Sequence, residues 1–205
     1  MFPLDVVLLP GAPLPLHIFE PRYRRMVNRC LETQDEFGVL LAMPRGVVRV
    51  GCTARIVEVL NRHSDGRMDI LTVGSAPFRV LELFTVETPN EEALVEGHVD
   101  YLEDHSQPAD PPHNPELVEL YETCHTIIFG DYPKNLSTNP SARLSYIIAA
   151  TLPLDLLWKQ RILELRSETD RQERLTGYLR EWAPHLQKRE KTLRQAAGGN
   201  GNGLN

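Results

Sequence analysis

The sequence predicts an α+β fold in two segregated lobes, strands first and helices second. Three observations carry this reading. Up to Asp104 the apolar runs are short and β-rich, residues 104–115 (DHSQPADPPHNP) are polar and proline-rich, and beyond them apolar residues recur at helical spacing. A chain of 205 residues, 41% of them hydrophobic, can bury a sizeable core. The division expected is a strand-rich lobe over 1–104, a linker over 105–115, a helical lobe over 116–195 and a flexible tail over 196–205. That tail, AAGGNGNGLN, lacks core-forming residues.

The opening stretch MFPLDVVLLPGAPLPLHIFEPRYRRMV is apolar, yet it has neither the positive start nor the unbroken core of a secretory signal. Asp5 stands early, Pro10, Pro13 and Pro15 interrupt the run, and Arg22, Arg24 and Arg25 come after it. Nothing approaches the ~20 apolar residues a membrane helix needs. LDVVLLP reads as a short strand ended by Pro10-Gly11. Glu20-Pro21 then opens a helix, with Pro at the first helical position and Tyr23, Met26, Val27, Cys30 and Leu31 at helical spacing.

Strands follow in EFGVLLAM and VGCTARIVEVL. In the second, Val57 and Val59 break strict alternation, which predicts cover on both faces. RHSDGRMDILTVG carries Asp65-Gly66 between two strand-like runs, a strong hairpin signal. FRVLELFTV and ALVEGHVDYLE supply two more strands.

Beyond the linker, Leu117, Leu120, Tyr121, Cys124 and Ile128 share one helical face. Asn139-Pro140 is expected to cap a second helix bearing Leu144, Ile147, Ile148 and Leu152, and Asp155 a third. A fourth opens near Thr169 with Gln172 at capping-box spacing, and places Leu175, Leu179, Trp182 and Leu186 on one buried face. Pro184 is expected to kink or interrupt it.

Charge and cysteine usage narrow the function classes. The net charge of −6 lies entirely in the first 104 residues, where 16 acidic residues face 10 basic ones. A general nucleic-acid binder would show the opposite sign there. Cys30, Cys52 and Cys124 form no CxxC or metal-ligand spacing, so they read as buried free thiols of a reducing, cytoplasmic compartment.

The opening segment FPLDVVLLPGAPLPLHIFEPRYRRMV, followed by FGVLLAM, VGCTARIVEVLNRHSDGRMDILTVG and PFRVLEL, resembles the Lon protease N-terminal (substrate-binding) domain family. The likeness is strongest to stand-alone bacterial proteins that carry this domain without the ATPase and peptidase domains. LSYIIAATLPLDLLWKQRILELRSETDRQERLTGYL resembles the family's helical segment. The resemblance implies a PUA-like β-pseudobarrel with an enclosed helix, followed by a helical subdomain. Within it LDVVLLP would be the first barrel strand, GAPLPLHIF a proline-held crossover and EPRYRRMV the start of the packed helix. In Lon proteases this region helps engage protein substrates, and the resemblance implies a related role here.

The chemistry of full-length Lon is missing. No phosphate-cradling GxxxxGK followed by Ser or Thr occurs among the four lysines, Lys134, Lys159, Lys188 and Lys191. Neither ATPase nor protease activity is expected, and no cofactor. His98, Glu103, Asp104, His105 and His113 gather around the linker without a closed ligand framework and read as solvated loop residues rather than a metal site. Cys124 beside His125 reads as a packed thiol, and there is no GxSxG elbow.

The best candidate surface is His17, Phe19, Glu20, Arg22 and Tyr23. A structural role is open to each: Glu20 at the helix N-terminus, Phe19 as a staple, Tyr23 in the core. The functional reading makes the crossover part of a peptide-contacting surface. The expectation is therefore a non-enzymatic, proteolysis-associated binding module for unfolded or extended polypeptide or a protein partner. Neither membrane nor nucleic acid is expected as a partner. An RNA-binding PUA-like module is the alternative, and an unrecognised hydrolase a more distant one.

Overall fold

A computed structural model describes residues 1–87, 92–104, 114–133 and 143–198. The fold is α+β, as expected. Seven strands come mostly first: β1 Phe2–Leu4, β2 Pro13–Ile18, β3 Phe37–Met43, β4 Gly46–Val47, β5 Val50–Arg62, β6 Met68–Val86 and β7 Leu94–Tyr101. Helix α1, Pro21–Thr33, lies among them. Helices α2 Pro115–Phe129, α3 Leu144–Thr151, α4 Leu156–Glu164 and α5 Glu168–Gly198 follow.

The hydrogen-bonded path runs β1-β3-β5-β6-β2, with β4 on β3 and β7 on β6. The sheet is open, so the pseudobarrel is not a closed one: β1 and β2 end the path and do not pair with each other. Helix α1 fills its inner side. Tyr23, Met26, Val27 and Cys30 are buried with Ile18, Phe37, Val39, Met68 and Ile70 in one apolar cluster. The first turn follows the sequence reading, with Glu20 at the N-cap and Pro21 just inside.

Several elements differ from expectation for identifiable reasons. The first strand is Phe2–Leu4, parallel to β3, rather than LDVVLLP. Leu8 and Leu9 are adjacent and both buried, which an alternating half-covered strand does not allow. The expected crossover is strand β2, antiparallel to β6 despite its two prolines. The Gly74 N–H donates to the Ala12 carbonyl, so even-numbered residues turn their backbone toward β6 and Pro13 and Pro15 turn theirs outward. A proline is tolerated there because the missing N–H would have faced away from the sheet.

Val57 is exposed, so strand β5 is not covered on both faces. Its broken alternation comes instead from register shifts, two of them flanking Val57 and Leu60. Asp65-Gly66 forms the predicted hairpin, with Gly66 at φ 86° and the His63 N–H bonded to the Arg67 carbonyl. DILTVG and FRVLELFTV are one continuous strand, β6.

The helical lobe begins at Pro115, capped by the Asn114 side chain. Leu117, Tyr121 and Cys124 are buried, as their spacing predicts, and Asp155 caps α4. Helix α3 starts at Leu144 after Arg143; Asn139-Pro140, His105, His113 and most of the 105–115 linker lie outside the described residues. The fourth-helix capping residue is Ser167, whose Oγ accepts the Asp170 N–H, while Gln172 bonds Glu168 and the Asn114 N–H. Pro184 does not interrupt α5. Leu175 and Leu179 are buried, whereas Trp182 is only partly so, and Ala183 occupies the core at that turn.

Candidate functional site

Strand β2 and the first turn of α1 place the five candidate residues at one end of the sheet. Alternation turns Pro13, Pro15 and His17 outward, and Phe19 continues that exposure, with more than half of its surface in solvent. Phe19 therefore does not staple the helix. Its ring stacks beside His17 at a centroid distance of 6.0 Å. Glu20 caps through its backbone alone, and its carboxylate takes a hydrogen bond from Arg22. The Arg22 guanidinium sits over the Tyr23 ring at 4.7 Å.

Tyr23 is buried and stacked on Phe2 at 4.1 Å. Burial raises its pKa, and its ring is a support for Arg22 rather than a surface contact. The structure thus brings His17, Phe19, Glu20 and Arg22 together at the surface and sets Tyr23 beneath them.

Two residues not singled out from sequence join this surface. Asp69 lies directly opposite His17 in the β2–β6 pairing. The His17 Nδ1–H donates to one Asp69 oxygen at 2.6 Å and the His63 Nε2–H to the other at 2.8 Å. These bonds, that from His17 first, hold the Asp69 carboxyl below its ordinary pKa. Strand register creates the cluster, and only the hairpin signal at Asp65-Gly66 hinted at it.

A second surface feature is a ribbon. Pairing of β5 with β6 ends at Val50–Arg79, Arg49 bonds the Val80 N–H and the Leu81 carbonyl, and beyond them Glu82–Val86 pairs with β7 alone among the described residues. Leu81, Leu83, Phe84 and Val86 are all exposed there. Arg25 Nη2 donates to the Glu92 carbonyl at 2.7 Å and Arg29 to Glu96 at 3.0 Å, tying α1 to this ribbon. A groove of about 520 Å³ opens nearby, lined by Met26, Arg29, Cys30, Phe37, Glu96 and Tyr101 among others.

Among the linker candidates that lie within the described residues, Asp104, Glu103 and His98 each have partners of their own. Asp104 makes a two-pronged pair with the buried Arg171, at 2.8 and 2.6 Å, and His98 packs against Phe84 on the ribbon. All three thiols are free and buried. Burial pushes Cys124 up to about 11 and Cys52 to about 12, so neither is a ready nucleophile. No helix among the described residues is long and apolar enough to cross a membrane.

Comparison with known proteins agrees with this architecture. The chain is 25% identical over 189 residues to a Lon protease of Amoebophilus asiaticus, an alignment covering 84% of this chain and 22% of that protein. It is 29% identical over 208 residues to a LON peptidase N-terminal domain and RING finger protein of Schizosaccharomyces pombe, covering 82% of this chain and 42% of that one. The chain thus spans well under half the length of these curated relatives.

Among solved structures, a Lon N-terminal domain protein from Xanthomonas campestris superposes with a TM-score of 0.66 at 28% identity, over 86% of this chain and 95% of that one. The N-terminal domain of a Mycobacterium avium complex Lon protease shares the fold, with a TM-score of 0.56 at 16% identity over 87% of this chain and 95% of that one. The family model of the ATP-dependent protease La (LON) substrate-binding domain matches residues 1–181, and the chain belongs to that family.

Proposed function

We propose that this protein is a non-enzymatic, cytoplasmic binding module for extended or unfolded polypeptide, or for a protein partner presenting such a segment. The observation that carries it is the β6–β7 ribbon. It keeps Leu81 and Leu83 exposed on one face and Phe84 and Val86 on the other, apolar side chains that a folded monomer has no structural reason to leave open. Family membership in a substrate-binding domain supports the same role.

An extended segment would add to the ribbon by backbone hydrogen bonding, with side chains resting on the apolar residues. Strand β7 pairs with β6 alone among the described residues and contains no proline, whereas Pro13 and Pro15 blunt the edge of β2. The crossover surface of Phe19, His17, Glu20 and Arg22 would extend the contact, held from below by Tyr23. Nucleotide has no part in this scheme, since the sequence lacks a phosphate cradle. Cytoplasmic residence is supported by three buried free thiols.

The test is a titration of fluorescent denatured protein, with a generic RNA in parallel, from low to moderate salt. The expected result is micromolar polypeptide binding, about −8 kcal/mol at 1 μM, independent of ATP and nearly flat with salt. Replacing Leu83 and Phe84 by Ser should weaken it at least about tenfold, a loss of about 1.4 kcal/mol or more. RNA affinity that falls steeply with salt, without polypeptide binding, would replace this reading with the RNA-binding one.

A further inference from the structure

We propose that His17, His63 and Asp69 form a binding site for one divalent transition-metal cation of the Zn²⁺ type. The site stands independently of the polypeptide-binding role and rests on three placements in the sheet. His17 lies opposite Asp69 across β2 and β6, and Asp69 lies opposite Asn61 across β6 and β5. His63 follows β5 at the base of the hairpin, where its backbone N–H is fixed to Arg67. Two strands and one hairpin therefore present three ligand atoms that all lie within 4.8 Å of one another.

The donor geometry is convergent. Each carboxylate oxygen of Asp69 meets one imidazole nitrogen, Nδ1 of His17 and Nε2 of His63. One imidazole would have been enough to satisfy this partly exposed carboxylate; the second completes a set of two nitrogens and one oxygen. The rings are held edge to face, 5.7 Å apart, and Phe19 stacks on the outer side of His17. A cation bonded at about 2.0–2.2 Å needs its ligand atoms slightly further apart than these hydrogen bonds. Small side-chain rotations on a fixed backbone supply that opening.

The chemistry selects the ion. Two imidazoles and a carboxylate suit Zn²⁺, Co²⁺, Ni²⁺ and Cu²⁺, whereas Mg²⁺ and Ca²⁺ require more oxygen ligands. The nitrogens that face Asp69 are the ones whose lone pairs would bind the metal, so loading places the N–H of each ring on its other nitrogen, Nε2 of His17 and Nδ1 of His63. Three protein ligands leave a coordination position open toward solvent, beside Phe19, unlike a closed structural site.

The test uses the tag-free full chain, stripped with EDTA and titrated with Zn²⁺ by calorimetry and with Co²⁺ by visible absorption. One cation per chain and no response to Mg²⁺ are expected. Asp69→Asn and His63→Gln should each weaken Zn²⁺ binding by at least about tenfold, with folding checked by thermal melting. Imidazole ¹⁵N NMR of the unaltered chain gives a second readout that survives any folding defect in the variants. Zn²⁺ should shift His17 Nδ1 and His63 Nε2 while leaving His98 and His185 in place. Absence of binding at millimolar Zn²⁺, unchanged affinity in both variants, or shifts confined to other histidines would each overturn the proposal.

Discussion

Arg171 shows how much a single buried charge organises. Its side chain has no exposure, yet every direction is answered: both Asp104 oxygens, Glu168 Oε2 at 3.0 Å, the Leu165 carbonyl at 2.8 Å and the Tyr146 ring at 4.3 Å. Such a group tolerates burial only because its partners are in place. Arg171→Met would leave Glu168 buried without its cation, and the expected cost is about 3–5 kcal/mol, measured by urea unfolding. A loss under about 1 kcal/mol would show that Glu168 is relieved by protonation or water. None of this was legible in the sequence, since Asp104 and Arg171 are far apart and Asp104 read as a loop residue. The same holds for His17: its stretch reads as a crossover rather than an alternating strand, and its partners Asp69 and His63 depend on register. Tyr23 was the more readable case, because helical spacing alone placed it in the core.

At the scale of elements, periodicity located α1, α2 and the Asp65-Gly66 hairpin, because each rests on local spacing or turn chemistry. It failed where long-range pairing overrides local pattern. Strand β6 reads as two strands because Gly74 and Pro77 look like punctuation, yet the strand runs through them. Gly74 is there to admit another backbone: a Cβ at that position would stand 2.2 Å from the Leu9 carbonyl oxygen. The same contact region fixes the turn into β2, since Gly74 also exchanges hydrogen bonds with Gly11 and Ala12. Gly74→Ala should therefore force the opening segment off the sheet and cost about 1–3 kcal/mol, the usual range for overpacking. Thermal melting checks it, and an unchanged melting temperature would mean the Leu8–Leu9 segment moves aside freely. The buried Leu8 and Leu9 argue against such freedom.

Across the whole molecule, strands first and helices second matches the order of the elements but says little about their joining. The division at 1–104, 105–115, 116–195 and 196–205 remains our proposal for how the chain is organised. Sheet and helices share one apolar cluster, with Val50 and Cys52 of the sheet packed in the same core as Leu117, Ile148 and Ile162 of the helices. Polar ties cross the same seam: Gln160 Nε2 donates to the Val50 carbonyl at 3.0 Å, and Arg166 to the Glu103 carbonyl at 2.6 Å. Asp104 adds charged ties, to Arg171 and to Arg143, and these make the seam sensitive to acid. Burial alone would raise the Asp104 pKa, but the hydrogen bonds and charge of Arg171, with Arg143 and Arg166 beyond, outweigh it and lower it. A carboxyl lowered on folding contributes stability above its unfolded pKa of about 3.9 and loses that contribution as pH falls through the folded value. The urea midpoint of the native chain should exceed that of Asp104→Asn at pH 7, and the gap should close as pH drops below about 4. A gap that persists undiminished into strong acid would show that Asp104 holds the lobes by its shape and hydrogen bonding, with its charge playing no part.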